Sequence, residues 1–449
     1  MVKKQPSCEF SIADREPPDR EARTADIMPP MFLVYEGLLY LVFLLALPFF
    51  LLTGLLRGKY LSNFSERAGF YRSPAVQHDL WVHAVSVGET LAARPILDQL
   101  LQRRPQTSIV FTTTTITGQA QARRLFPEAT ITYFPFDFSS SVRRFLEHHR
   151  PRVFATMETE IWPNVTRLSR AAGVRLILAN GRLSDRSFPR YRLLGPIVGR
   201  ILRQYDRILA REENDRKRFI AIGAASERVE VTGNVKFDFA SDDQPLPIAP
   251  HLTALISSRP VLILGSTVQG EDEALLPEIE VFVQERNAFL IVAPRRPERF
   301  EIVAGLLSTT SLNFVRRSEI SANSQRPTAN VLLLDTIGEL SRIYRFGTVA
   351  FVGGSLVRSG GHNPIEPAAA GIPVCFGPHM SNFREIAATF LQNDAAVEVR
   401  SPEALVEFVQ RMFDDPAARR ELGDRARRTV EENRGAAMRT AERIVELLA

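Results

Sequence analysis

Short runs of apolar, often β-branched residues alternate along most of the chain with longer stretches of helical character. The first half has seven such runs, at residues 80–85, 108–114, 130–134, 152–156, 175–180, 207–210 and 229–232. The second half has five, at residues 260–265, 288–293, 330–334, 348–352 and 372–376, and its last part has a helical pattern. This alternation predicts βαβ units, in which parallel strands are covered by helices on both faces.

The acidic sequence SDDQPLPIAP at 241–250 separates the two groups of runs, and its three prolines are typical of a stiff, exposed linker. We therefore expect an α/β protein with two Rossmann-like, doubly wound domains that face a cleft. Their expected bounds are residues 57–240 and 259–449, joined by a linker at 241–258.

A run of 20 residues without a charge, from Gly37 to Leu56, predicts a membrane-anchor helix over residues 31–56. The alternatives are a buried core helix, a cleaved signal peptide and, because of Pro48, a helix that lies within one leaflet instead of spanning the bilayer. Basic residues follow the run at once, which places the rest of the chain in the cytoplasm. Residues 1–30 are polar and charged and are expected to form a disordered tail, unless translation begins at Met28 or Met31.

Composition excludes several classes of protein. Hydrophobic residues make up 45% and charged residues 24% of the 449, values typical of globular domains and not of a disordered chain. The two cysteines, Cys8 and Cys375, cannot form a disulfide framework, which favours a reducing compartment.

The net charge of +5 is unevenly distributed. Residues 57–240 hold 29 basic and 17 acidic residues, a net +12, whereas residues 241–449 hold 22 and 27, a net −5. Much of the excess comes from one arginine-rich stretch, Arg182, Arg186, Arg190, Arg192, Arg200 and Arg203. The first half is therefore expected to face an anionic partner, and next to an anchor helix acidic lipid is favoured over a merely solvated surface.

Absent motifs narrow the chemistry. No two glycines are spaced i, i+2, so the dinucleotide fingerprint is missing, and no Gly-Lys pair lies in a phosphate-binding loop. No two aspartates are spaced i, i+2 and no H-E-x-x-H occurs, so we expect chemistry without a metal ion.

Polar residues follow the predicted strands of the first half, where open α/β sheets bind their ligands. WVHAVSVGE at 81–89 ends in Glu89, a candidate general base whose alternative role is to favour a helix N-terminus. METEIWPN at 157–164 carries Glu158 and Glu160, and TGNVKFD at 232–238 carries Lys236, one of only five lysines. The alternative for each is an exposed residue without a role.

The second half has similar clusters at GSTVQGEDE, PRRPERF, IGEL and VGGSLVRSGGHNPIEPAAAGIPVCFGP. Gly353-Gly354 and Gly360-Gly361 permit close approach of a ligand, and nearby N–H groups are candidate phosphate donors. Glu366 in HNPIEP is a candidate acceptor for ribose hydroxyls.

Together, HAVSVGE, METEIWPN, PRRPERF and GGHNPIEPAAAGIPV resemble the bacterial 3-deoxy-D-manno-octulosonic acid (Kdo) transferases of lipopolysaccharide synthesis. The resemblance runs from Met31 nearly to the C-terminus. It implies a GT-B fold and inverting, metal-independent transfer without a cofactor, from CMP-Kdo bound by the second domain to a lipid A precursor (lipid IVA) bound by the first. It also implies a location at the cytoplasmic face of the inner membrane, through a single-pass or monotopic anchor.

The resemblance also implies roles for individual residues. Glu89 matches the catalytic base, and Glu158 and Lys236 match groups that stabilise the transition state. The positions that match CMP contacts are Pro294, Arg295, Ile337, Gly338, Glu339, Asn363, Pro364, Ile365 and Glu366. The chain departs from the family pattern at Val268 and Arg296, where histidine is frequent.

Two other classes of function compete with this one. A nucleic-acid-binding protein would account for the +12 segment, but no recognition motif is present and aromatic residues do not interleave with the arginines, so no nucleic acid partner is expected. A membrane-associated, non-catalytic α/β binding protein would leave the polar clusters at the strand ends unexplained.

Overall fold

The computed structural model describes residues 30–57, 63–185, 187–238, 249–320 and 329–449. The chain divides into two compact units, one of Met1–Val231 with Thr440–Ala449 and one of Thr232–Arg439. The tail expected at residues 1–30 lies, except for Pro30, outside the described residues, as does Arg186.

Each unit contains a seven-stranded sheet in which every pair of neighbouring strands is parallel. The strands of the first unit are β1 (Leu80–His83), β2 (Ile109–Thr113), β3 (Thr130–Tyr133), β4 (Val153–Met157), β5 (Arg175–Gly181), β6 (Arg207–Ala210) and β7 (Val229–Val231). Those of the second are β8 (Val261–Thr267), β9 (Phe289–Pro294), β10 (Phe314–Arg316), β11 (Val331–Leu333), β12 (Val349–Val352), β13 (Val374–Phe376) and β14 (Val397–Glu398).

Helices separate the strands along the chain. Those of the first unit are α1 (Pro30–Arg57), α2 (Phe64–Arg67), α3 (Val87–Arg103), α4 (Ile116–Leu125), α5 (Ser139–His149), α6 (Pro163–Ala171), α7 (Phe188–Leu193), α8 (Gly195–Leu202) and α9 (Glu213–Ala221). The remainder are α10 (Ala249–Ile256), α11 (Glu271–Glu285), α12 (Phe300–Ser308), α13 (Leu340–Ile343), α14 (Ile365–Ala369), α15 (Arg384–Gln392), α16 (Pro402–Asp414), α17 (Pro416–Asn433) and α18 (Ala436–Leu448).

Both sheets are doubly wound, which confirms the predicted fold class of two Rossmann-like domains, although β11 inserts between β9 and β10 in the second sheet. The orders are β3-β2-β1-β4-β5-β6-β7 and β10-β11-β9-β8-β12-β13-β14. The direction of winding reverses between β1 and β4 and again between β8 and β12, and ligands of such sheets bind beyond the carboxyl ends of the strands at that point. The two switch points are therefore the places to look for a site.

The central strands are continuous apolar runs because helices cover both faces of each sheet. In β1, all four residues are buried. Trp81 packs there between Phe145 and Phe154, with ring centroids 4.2 and 4.0 Å away. This rigid layer fixes the position of the residues that follow β1.

The course of the chain near the two junctions differs from the expected boundaries. The expected linker at 241–258 contains helix α10, and its residues 241–248 lie outside the described part of the chain. The last ten residues belong to the first unit, although they were expected in the second domain. The reason is visible in two contacts, from Arg443 Nε to Glu230 Oε1 (2.6 Å) and from Arg152 Nη2 to the carbonyl oxygen of Leu448 (2.8 Å).

Candidate active site

Glu89 lies at the switch point of the first sheet, in the first turn of α3 directly after β1. Its carboxylate accepts hydrogen bonds from the Val85 N–H (2.8 Å) and from the Ser86 hydroxyl (3.1 Å). The Glu89 N–H in turn donates a hydrogen bond to Ser86 Oγ (3.4 Å), so Ser86 caps the helix. The capping role is therefore present, and it holds the carboxylate in one orientation at the edge of the sheet.

Glu158 follows β4 on the other side of the switch point and has a strained backbone. Its φ of 57° lies in the left-handed region, which non-glycine residues adopt mainly where the surroundings enforce it. The Glu158 N–H is donated to the carbonyl oxygen of Ala179 (2.9 Å), and its carboxylate pairs with the guanidinium of Arg211. The backbone conformation and the ion pair together fix the orientation of the Glu158 side chain.

Arg211 is a functional candidate that the sequence interpretation missed. It follows β6, its side chain is 2% exposed, and its Nε donates to the carbonyl oxygen of Asn180 (3.2 Å). A buried cation requires a partner, and Glu158 supplies one. The available signal was the position of Arg211 directly after a predicted strand.

The three carboxylates around the switch point interact electrostatically. Burial, together with the negative charges of Glu158 and Glu160, raises the pKa of Glu89 to about 7, although the hydrogen bond from the Val85 N–H counteracts the rise. Burial likewise raises the pKa of Glu160 to about 7, and Glu158 adds to the effect. A carboxylate with a pKa near neutrality is suited to take up a proton during a reaction.

His83 does not belong to this titrating group, although it is part of the same sequence cluster. Its side chain is fully buried, and its ring stacks on Phe134 at 3.7 Å. Its Nδ1 lies 3.1 Å from both the carbonyl oxygen and Oγ1 of Thr112. Burial lowers the pKa of His83 to about 3, so the ring is neutral and structural.

At the switch point of the second sheet, a buried glutamate accepts hydrogen bonds from the N–H groups that the sequence predicted as donors to a phosphate. Glu271, 1% exposed, accepts from the N–H groups of Gly354 (2.6 Å), Ser355 (2.8 Å), Leu356 (2.9 Å) and Val268 (3.2 Å). The expectation that the Gly353-Gly354 turn donates to a ligand phosphate is therefore corrected at these positions.

Gly353 is needed here for a different reason, the close approach of two strand ends. A Cβ atom at this position would lie 2.5 Å from the carbonyl oxygen of Ser266 and 2.7 Å from Thr267 Cα. Any larger residue would push the end of β8 and the turn after β12 apart.

A basic groove of about 690 Å³ opens beside these turns in the second unit. Its cationic side chains are Arg295, Arg296, Arg299 and Arg358. Arg299 is paired with Asp272 at 2.8 Å, whereas Arg295 and Arg296 are exposed. Such a groove suits an anionic ligand.

Of the nine predicted donor-binding residues, the structure brings Arg295, Asn363 and Glu366 into one electrostatic group. Burial raises the pKa of Glu366. Two effects counteract the rise, namely a hydrogen bond that Asn363 Nδ2 donates to Glu366 at 3.2 Å and the positive charge of Arg295. Pro364 and Ile365 are buried at the start of α14, and Pro294 is buried at the end of β9.

The remaining predicted donor-binding residues lie on the turn before α13. Ile337 is 62% exposed, and Gly338 has a φ of 92°. Burial would raise the pKa of Glu339, but hydrogen bonds from Arg317 (2.8 Å) and Thr336 lower it. The carboxylate of Glu339 is thus hydrogen-bonded to two side chains of its own unit.

Lys236 belongs to the second unit and not to the first domain, where the expected boundary at residue 240 placed it. It lies in a 3₁₀ turn, and its Nζ is 4.8 Å from the centre of the Phe383 ring. Asp238 closes the same turn by accepting from the N–H groups of Gly435 (2.5 Å) and Ala437 (2.6 Å). The lysine is therefore fixed on a structured turn.

Comparison with known proteins shows the family to which the chain is similar. Residues 62–239 match the family described as 3-deoxy-D-manno-octulosonic-acid transferase (kdotransferase). The chain is 36% identical over 422 residues to the 3-deoxy-D-manno-octulosonic acid transferase of Haemophilus influenzae, covering 92% of this chain and 97% of that protein.

Two solved structures are similar to this chain over different lengths. The C-terminal CMP-Kdo binding domain of WaaA from Acinetobacter baumannii is 30% identical, over 40% of this chain and 94% of that one, with a TM-score of 0.38. UDP-GlcNAc 2-epimerase from Neisseria meningitidis is 15% identical and matches 83% of this chain and 99% of that one with a TM-score of 0.56, which shows a shared two-domain fold. The extent and identity of the match to the Haemophilus enzyme show that the chain belongs to the Kdo transferase family of glycosyltransferases.

Proposed function

We propose that the protein transfers Kdo from CMP-Kdo to a lipid A precursor, lipid IVA, in a single inverting displacement that needs no metal ion or cofactor. The observation that carries the proposal is the Glu89 carboxylate, fixed at the β1/β4 switch point with its pKa raised to about 7. The family supports Kdo as the transferred sugar, and the position of Glu89 supports its role as the base.

In the proposed mechanism, Glu89 takes the proton from an acceptor glucosamine hydroxyl as that oxygen attacks the anomeric C2 of Kdo. The bond from C2 to the phosphate oxygen of CMP breaks in the same step, and CMP leaves with the electron pair. Glu158 is assigned to the developing positive charge on the sugar, and its ion pair with Arg211 orients it. Lys236 is assigned to the negative charge that builds up on the leaving phosphate.

The second unit is proposed to bind the donor. Arg295, exposed in the basic groove, is suited to the phosphate, and Glu366 with Asn363 to ribose or base polar groups. The turn of Ile337, Gly338 and Glu339 and the buried residues Pro294, Pro364 and Ile365 shape the surroundings of the nucleotide.

The first unit is proposed to bind the acceptor at the cytoplasmic face of the inner membrane. Helix α1 includes a stretch, Met31–Pro48, that is long and apolar enough to cross a membrane. The side chains of Arg190, Arg192, Arg200 and Arg203 are exposed in the same unit, which suits anionic lipids and the phosphates of lipid IVA.

Incubation of the purified full chain with CMP-Kdo and lipid IVA tests the proposal. The expected product is lipid IVA carrying Kdo, detected by mass spectrometry. Its configuration at C2 should be inverted relative to CMP-Kdo. The rate of transfer should not change when divalent metals are chelated. Donor binding without any product would instead indicate a non-catalytic binding protein. Loss of activity on chelation would overturn the metal-independent step.

A further inference from the structure

One face of helix α1 packs against the first unit in the part of the helix whose side chains the structure describes, residues 31–48. The residues of this contact face are less exposed than their neighbours and recur at helical spacing. They are Phe32, Tyr35, Glu36, Leu39, Phe43, Ala46 and Leu47.

Polar side chains of the contact face bind specific partners in the first unit. The Tyr35 hydroxyl donates to Asp137 Oδ2 at 2.7 Å. The Glu36 carboxylate accepts from the Ser139 hydroxyl (2.6 Å) and from Asn164 Nδ2 (2.7 Å). Glu36, the one charged residue between residues 31 and 56, is thus hydrogen-bonded to the globular unit.

Aromatic contacts continue the interface towards the middle of the helix. The ring of Tyr40 stacks on Phe138 at 4.7 Å, and the ring of Phe43 meets Phe138 edge-on at 5.5 Å. At the other end, Arg167 lies over the ring of Phe32 at 5.1 Å, and Arg200 contacts Met31 Sδ at 3.1 Å. The docked segment from Met31 to Phe43 is about 18 Å long at 1.5 Å per residue.

The path of the chain after this segment excludes a simple crossing of the bilayer. From Phe43 to the end of the helix at Arg57 about 21 Å remain, whereas the hydrocarbon core is about 30 Å thick. The chain then returns to the same unit, because Phe64 of α2 lies 6.1 Å from Phe43 and 5.3 Å from Phe136. Phe43 of α1 and Phe64 of α2 therefore pack against the same globular unit.

The opposite face of α1 is apolar and open. Its residues are between 53% and 74% exposed. They are Leu33, Val34, Leu38, Leu41, Val42, Leu44 and Leu45. In the same unit, the α7–α8 turn exposes Leu193 (84%), Leu194 (51%) and Ile197 (45%), and Arg200 of α8 joins this turn to Met31.

We infer that α1 is a monotopic helix that lies in the cytoplasmic leaflet, with its contact face on the first unit and its open face, with the α7–α8 turn, against the acyl chains of the bilayer. The inference deepens the proposed membrane location and rests on it. Because Glu36 binds Asn164 in the first turn of α6, the helix also holds the segment that follows Glu158 and Glu160 at a fixed height above the lipid.

The native Cys8, which precedes α1, reports the topology directly. The full chain, expressed from Met1, is exposed to a membrane-impermeant maleimide in intact spheroplasts and after permeabilisation. Cys375 is fully buried, and Gln102→Cys supplies an exposed reference position on the first unit. We expect Cys8 to react only after permeabilisation, as Gln102→Cys does, whereas labelling of Cys8 in intact spheroplasts would overturn the inference.

Depth measurements supply an independent readout. Val34→Cys and Leu45→Cys, each carrying an environment-sensitive fluorophore in a Cys8→Ser chain, are reconstituted in vesicles of phosphatidylethanolamine and phosphatidylglycerol. Quenchers on acyl carbon 5 should act on both sites equally and more strongly than quenchers on carbon 12. The matched control Val281→Cys, 57% exposed on α11, should not be quenched. Clearly different depths for the two sites would mean a spanning helix.

Failure of the underlying membrane location gives a different result. In that case neither site is quenched and the protein does not sediment with the vesicles, while Kdo transfer to detergent-dispersed lipid IVA persists. That outcome overturns the monotopic helix and the membrane location together, and leaves the proposed reaction standing.

Discussion

The carboxylate of Glu158 is paired with the buried guanidinium of Arg211, whereas that of Glu89, across the same switch point, is held by the Val85 N–H and the Ser86 hydroxyl. The two acids therefore differ in electrostatic environment. A buried carboxylate held by neutral donors, as that of Glu89 is, can exchange a proton near neutral pH. This difference supports the proposed roles, the base for Glu89 and stabilisation of positive charge for Glu158.

The rate of Kdo transfer should depend on pH through Glu89. Because the base must be ionised, the rate should be low below its pKa of about 7, rise through that value and level off above it. Replacing Glu160 by glutamine removes a negative charge that raises the pKa of Glu89, so the midpoint should move to lower pH. A midpoint that does not move, measured in single-turnover assays from pH 5 to 9, would contradict the coupling.

Replacing Arg211 by alanine should have two effects. Without Arg211, the negative charge of Glu158 would raise the pKa of Glu89 and move the pH midpoint upwards. Loss of a largely buried ion pair should also lower the free energy of unfolding by about 3 kcal/mol. Arg211→Lys keeps the charge and is the matched control, expected to retain the wild-type midpoint. Denaturant unfolding and the pH profile separate the two effects, and an unchanged midpoint in a folded Arg211→Ala protein would exclude the orienting role.

Glu271 should prove essential for the turn after β12. Glutamine cannot accept from all four N–H groups, so at least one loses its partner, at a cost of about 1–3 kcal/mol. The control is Glu273→Gln, two residues further along α11, whose side chain is 39% exposed and whose loss should cost less than about 1 kcal/mol. Equal thermal stabilities for the two variants would contradict the structural role of Glu271.

Arg295 should contribute to nucleotide affinity. Loss of one charge-assisted hydrogen bond, about 1.5–3 kcal/mol, should weaken CMP binding about 10- to 100-fold in Arg295→Ala. Arg420→Ala, an exposed arginine of α17, is the control and should bind CMP as the wild type does. Calorimetric titration with CMP measures both, and wild-type affinity in Arg295→Ala would remove this residue from the donor site.

Most of the fold was predictable because helices cover both faces of each sheet and make the central strands continuous apolar runs. The missed strands, β10 and β14, are edge strands of three and two residues, too short to leave a pattern. The place of the C-terminal helix depends on contacts such as that of Arg443 with Glu230, which are distant in sequence.

The site was predictable to the extent that its residues follow strands. Glu89 and Glu158 were identified in this way, and both lie at the switch point. What the pattern does not contain is how side chains are partnered. The sequence gives no sign that Glu271 occupies the N–H groups of the Gly354 turn, that Arg211 pairs with Glu158, or that His83 is buried and neutral.

Comparison of the wild-type chain with Glu89→Gln tests the central claim most directly. Both proteins are given CMP-Kdo and lipid IVA, the glycolipid product is counted by mass spectrometry, and CMP affinity is measured on the same samples. We expect Kdo-bearing lipid IVA from the wild type, and loss of at least 99% of that rate in Glu89→Gln with CMP affinity unchanged, since a positioned base contributes about 10²–10⁴ in rate. Substantial transfer by a correctly folded Glu89→Gln protein would contradict it.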